Sequence, residues 1–140
     1  MKSRLLVLFF LPLLLAACTD RVELKQVMTF RMAGDCLVYG PWEEPIPSHG
    51  AYEIKVLRAS ETATKGYLDI YGFQWDTQFS YKQDSIFFTT PEQIKDGDLL
   101  KQCFQAEGWI CGEDMFIRYQ SWNTSAEGTI ICEVFGIKSE

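Results

Sequence analysis

AYEIKV, residues 51–56, sets Tyr52, Ile54 and Val56 in alternation with Glu53 and Lys55. Successive side chains of a strand point to opposite faces, so this period of two describes a strand with one face in a core and the other in water. Toward the C-terminus, YLDIYGFQW (67–75) places Tyr67, Asp69, Tyr71, Phe73 and Trp75 on one side and Leu68, Ile70, Gly72 and Gln74 on the other. Phe79–Tyr81 and Ile86–Thr89, separated by KQDS, read as a further hairpin, so residues 67–89 form an aromatic-rich antiparallel segment. Toward the N-terminus, VMTFRMAGDCLVYG (27–40) holds two β-rich runs around Ala33-Gly34-Asp35, the composition of a hairpin. Between these segments, GPWEEPIPSHG (40–50) carries three prolines and two glycines, which interrupt a helix and a central strand alike and read as a loop.

The pattern breaks at Thr90-Pro91-Glu92-Gln93. Thr at the N-cap, Pro at the first helical position and Gln two residues later predict the start of a short helix. Asp96-Gly97-Asp98 interrupts it, although Leu99, Leu100, Cys103 and Phe104 share a face at helical spacing. Strand pattern returns at Met115–Tyr119 and Thr129–Ile137, joined by the turn-rich QSWNTSAEG. The expected fold is mainly β, a sandwich or small barrel of about seven antiparallel strands with one short helix.

The N-terminus is of another kind. Lys2 and Arg4 precede an apolar run from Leu5 to Ala17, broken only by Pro12. The run is short of the ~20 apolar residues that cross a bilayer, and its small residues before position 18 suit an export signal. Leu15-Ala16-Ala17-Cys18 resembles the lipobox of bacterial lipoproteins. That resemblance implies removal of residues 1–17 and lipidation of Cys18, whose several acyl chains make a durable anchor where a single chain would not. It also implies an outer-membrane location facing the periplasm, because Thr19 stands where Asp favours inner-membrane retention. Residues 18–26 then form a tether, and residues 27–140 a single periplasmic domain.

Cleavage takes Lys2 and Arg4 and none of the 19 acidic residues, so the net charge of −6 becomes −8. Nucleic acid is excluded as a partner, since it demands clustered Lys and Arg. A basic protein partner is favoured electrostatically. With Cys18 assigned to lipid, Cys36, Cys103, Cys111 and Cys132 remain, an even number that reads as two disulfides in an exported chain. Three connectivities are open. A local Cys103–Cys111 staple could use Gly108 for its turn, whereas Cys36–Cys103 with Cys111–Cys132 would clamp distant parts. None of these cysteines has the C-x-x-C spacing of a zinc site, and no metal or cofactor is expected.

Catalytic constellations are missing from the sequence. His49, the sole histidine, lies in Ser48-His49-Gly50 with no G-x-S-x-G elbow anywhere. Glu43-Glu44 and Glu113-Asp114 are adjacent carboxylates, and sequence neighbours on a strand point apart. Asp96-Gly97-Asp98 fails the calcium-loop pattern because Leu100, at the fifth position, offers no side-chain oxygen. Asn123-Thr124-Ser125 matches a glycosylation acceptor, a match that is idle in a bacterial lipoprotein. No enzymatic activity is expected. Trp42, Glu43 and Glu44, held between prolines, are the candidate partner-binding residues, because a rigid loop loses little entropy on binding and Trp is enriched at hot spots. The face of Tyr67, Tyr71, Phe73 and Trp75 is either core or a recognition platform.

In general design the chain resembles periplasmic lysozyme inhibitors and immunity lipoproteins. MTFRMAGDCLVY (28–39) and LLKQCF (99–104) are similar to segments of enterobacterial immunity-type periplasmic lipoproteins of type VI secretion loci. The resemblance implies pairing of Cys36 with Cys103. It also implies a lipid-anchored inhibitor or immunity protein that blocks a toxin or cell-wall hydrolase. The alternative expectation is a structural accessory of an envelope or secretion complex.

Overall fold

The computed structural model describes residues 26–96, 101–123 and 128–139. They form eight strands: β1 (Gln26–Tyr39), β2 (Ile46–Arg58), β3 (Lys65–Ile70), β4 (Phe73–Lys82), β5 (Ser85–Asp96), β6 (Lys101–Cys111), β7 (Asp114–Asn123) and β8 (Thr129–Lys138). Each pairs antiparallel with the next, and β8 returns to β1, closing the sheet into a barrel. The fold is thus the barrel of the two expected architectures, with eight strands among the described residues. The signal segment, Cys18, the tether up to residue 25, and parts of the Asp96-Gly97-Asp98 and QSWNTSAEG segments lie outside the described residues.

The period of two does most of the folding. Along β2, Ile54 and Val56 are wholly buried while Glu53 and Lys55 face water. Phe30 and Met32 of β1, Leu68 and Ile70 of β3, Met115 and Ile117 of β7 and Val134 of β8 complete the same interior. Each such side chain contributes ~1.5–3 kcal/mol on leaving water. The barrel has two ends. One, the terminal end, carries Gln26 and Lys138 and the turns at 59–64, 83–84 and 112–113; the other, the mouth end, carries the connections at 40–45 and 71–72. At the terminal end Arg58, 3% exposed, donates to Tyr81 Oη at 2.7 Å and to the Glu61 carbonyl at 3.2 Å. Its guanidinium also lies over the rings of Phe79 and Tyr81, so the buried charge is held by a polar and aromatic plug.

Four expectations about individual strands, turns and the helix are corrected. Gln26–Tyr39 is one continuous strand, with no hairpin at Ala33-Gly34-Asp35. Gly34 is there for close approach: a Cβ would lie 2.6 Å from Val134 Cγ1 and 2.9 Å from the Glu133 carbonyl oxygen. The Pro-rich loop is shorter than expected, because β2 already begins at Ile46, and Pro47 pairs with Leu37 where β2 has β1 alone as its register partner. The run 67–75 is a hairpin, folded at Tyr71 (φ 54°) and Gly72 (φ 80°) between the paired Ile70 and Phe73. Both central residues have the positive φ of a two-residue turn matched to strand twist. The turn resets the alternation, so Leu68, Ile70 and Trp75 are buried together while Tyr71 projects at the mouth.

The fourth correction is the helix. Thr90 to Gln93 belong to β5, and Cys103 and Phe104 to β6; no helix occurs among the described residues. The same residue types serve a β-bulge instead. Register shifts between Thr90 and Gln93, leaving Pro91 in the bulge where no ladder N–H is required. Thr90 Oγ1 lies 2.8 Å from Thr77 Oγ1. Gln93 accepts from the Asp76 N–H at 2.8 Å and donates to the Asp76 carbonyl at 2.7 Å. Lys95 Nζ donates to the Gln74 carbonyl. Direct β4–β5 pairing stops at Gln78 and Thr89, and these side chains bridge the splayed strands toward the mouth.

Among the described residues one disulfide forms in place of the two expected, Cys36–Cys132, between residues directly opposite each other on β1 and β8, with Cα atoms 4.2 Å apart. It spans 96 residues and staples the seam that closes the barrel. Cys103, buried, and Cys111, exposed, are free thiols at the two ends of β6. At ~3.3 Å per strand residue they stand roughly 26 Å apart, beyond bridging reach. Gly108, expected at a turn, lies mid-strand opposite Ile117. The local staple and the Cys36–Cys103 pairing are both replaced.

Candidate functional site

Toward the mouth the interior opens into a cavity of about 380 Å³. Its walls differ. One is aromatic: Tyr71, Tyr52, Tyr119, Phe104, Trp75 and Phe73 form an unbroken chain of ring contacts, with successive centroids 5.2, 6.3, 5.4, 4.9 and 5.7 Å apart. The other wall is made of small or aliphatic groups, among them the Cys36–Cys132 disulfide, Ser48, Gly50, Ser121 and Ile130. The rings come from β2, β4, β6, β7 and the β3–β4 turn and the small groups from β1, β2, β7 and β8, and the described side chains leave space between them. No described residue lining it carries a charge.

Within the aromatic wall the Tyr52 hydroxyl donates to the Tyr119 hydroxyl at 2.8 Å, joining residues 67 positions apart. Burial pushes the Tyr52 hydroxyl up to about 12. Tyr119 is raised further, chiefly by burial. Both remain protonated, and so able to hydrogen-bond as neutral phenols, throughout the ordinary pH range.

The Trp42-Glu43-Glu44 loop lies at the same end. Trp42, 42% exposed, folds back over Gly40 and donates its indole N–H to the Val38 carbonyl at 3.3 Å, while Glu43 and Glu44 are exposed. His49 sits on the exposed β1–β2 wall, Nδ1 2.9 Å from Asp35 Oδ1 of the opposite strand position. That pair is bathed in solvent on both sides. Among the described residues no three His, Cys, Asp or Glu side chains gather as a metal site.

A second surface lies on the outer wall nearer the terminal end. Phe87, Trp109, Phe116 and Phe135 occupy consecutive register positions on β5, β6, β7 and β8. Their rings form a ladder, with Trp109–Phe116 centroids at 6.1 Å and Phe116–Phe135 at 4.9 Å. Phe87 is 41% exposed, Phe135 62% and the adjoining Ile137 64%. The next outward rung carries Glu107, Arg118, Glu133 and Asp35, with an Arg118–Glu133 ion pair at 3.4 Å. An apolar band rimmed by charge is the composition of an interaction surface.

Comparison with protein-family models, with curated proteins and with solved structures finds no match to this chain. The function is therefore read from the two surfaces. The ladder has no signature in the linear sequence, because its four aromatics become neighbours only through strand register. The Tyr52–Tyr119 pair has the same origin: alternation turns Tyr52 toward the interior, and only barrel closure supplies its partner.

Proposed function

We propose that this protein is a lipid-anchored, non-enzymatic binding protein of the bacterial periplasm that blocks a toxin or cell-wall hydrolase by gripping it through the aromatic ladder. The outer-wall ladder, in which Phe87 and Phe135 are exposed and Trp109 and Phe116 half-buried, carries this reading. Trp and large apolar side chains clustered on one wall supply the anchors of a protein interface, and the acidic chain steers a basic partner toward it. The lipobox-like Cys18 supplies the membrane link. Because β1 begins at Gln26 on the terminal end, the tether would join the barrel at that end. The mouth and its Trp42 loop then face away from the membrane, where Trp42, Glu43 and Glu44 form a second contact region.

The test is stoichiometric addition of the protein to basic periplasmic hydrolases and to toxins encoded beside its gene. Inhibition at equimolar ratio is expected, and Phe135→Asp should weaken it at least ~25-fold, the effect of losing one hot spot of ~2 kcal/mol. Trp42→Ala separates the loop from the ladder. A deletion strain that survives challenge by its neighbours normally, with no enzyme inhibited, would overturn the reading and favour a structural accessory role in an envelope or secretion complex.

A further inference from the structure

We propose that the mouth cavity binds a small, uncharged, flat apolar molecule that carries one hydrogen-bond donor. The inference is independent of the protein partner, because the cavity and the ladder lie on different surfaces of the barrel. An eight-stranded barrel encloses a space that side chains just fill, or that one small ligand occupies. Here the terminal half is filled by Phe30, Ile54, Val56, Leu68 and Met115, while among the described residues small inward groups leave space in the mouth half. Gly50 is the clearest of them: a Cβ there would meet nothing closer than the Tyr52 ring at 3.7 Å, so the backbone would accept a side chain in place of the space. A volume of about 380 Å³ falls at the lower end of the ~300–1,000 Å³ of small-molecule pockets.

The lining defines the chemistry. Six aromatic rings in continuous contact line the cavity, and an aromatic lining favours a flat, aromatic apolar body. Uncharged described walls would desolvate an ion without compensation, which selects a neutral molecule. The Tyr52 oxygen spends its proton on Tyr119 and keeps lone pairs, so it accepts a hydrogen bond from a ligand O–H or N–H.

Naphthol is a suitable probe, titrated calorimetrically into the purified full chain, with naphthalene sulfonate as its charged counterpart. One saturable site per chain is expected, with the sulfonate at least ~10-fold weaker. Gly50→Leu or, independently, Ser121→Leu fills the cavity and should lower naphthol affinity at least ~10-fold. Tyr52→Phe should lower it ~5–10-fold, the effect of one lost hydrogen bond. Phe135→Asp on the outer wall should leave it unchanged. Far-UV circular dichroism confirms that each variant is folded. No saturation below about 1 mM naphthol, or binding lost with Phe135→Asp and retained in both leucine variants, would overturn the proposal.

Discussion

The hydroxyl pair at the mouth shows what one inward position can and cannot say. Tyr52 is legible as a core-facing residue of β2, because Glu53 and Lys55 flank it in the outward phase. Its bond to Tyr119 is not, since the two meet only across the closed barrel. Their raised pKa values make a pH prediction. An unfolded tyrosine ionises near pH 10, whereas Tyr52 in the barrel holds its proton up to about 12, and Tyr119 holds its proton beyond the ordinary value too. Between these limits the unfolded chain releases protons that the folded chain retains, so stability falls as pH rises above about 10. Urea midpoints should be flat with respect to these groups below about pH 9 and drop above it. In the Tyr52→Phe, Tyr119→Phe double variant the alkaline drop should be shallower; an equally steep drop would place its cause elsewhere.

At the scale of elements, β2, β7 and β8 are readable from alternation alone, as is the β4–β5 hairpin at KQDS. The failures at β1 and β5 share one cause. Gly34 and Thr90-Pro91-Glu92-Gln93 carry residue types suited to a turn and to a helix start, and local preference for these is outweighed by partners on other strands. Val134 occupies the space a turn residue would not need, and Asp76 accepts and donates to the Gln93 amide. Gln93 therefore acts as a side-chain substitute for strand pairing across the β4–β5 splay. Gln93→Ala should cost ~1–2 kcal/mol in chemical denaturation, the sum of exposed hydrogen bonds worth ~0.5–1.5 kcal/mol each. The Asp76 amide should lose ~10-fold or more in hydrogen-exchange protection, while amides in the β1–β2 ladder keep theirs. Unchanged protection at Asp76 would mean that the bridge does not hold the strands.

For the whole molecule the decisive contact is the β1–β8 seam, the pairing with the greatest sequence separation and so a large loop-closure cost. Cys36–Cys132 lies within it and removes that cost from the unfolded chain. Replacing both cysteines by Ala should lower stability by ~3–5 kcal/mol, the range for a loop near 100 residues, with the far-UV spectrum of the barrel retained at low temperature. Cys111→Ser, on an exposed free thiol, should stay within ~0.5 kcal/mol; a loss under ~1 kcal/mol for the double variant would deny the seam its role. The sequence by itself determined the β class, the inward positions of most strands and the absence of a local catalytic motif, because a period of two and short motifs are properties of neighbouring residues. The disulfide pairing, the aromatic ladder and the mouth cavity follow from the tertiary structure alone, because each depends on register between strands and on closure of the sheet, which bring together residues that the chain keeps far apart.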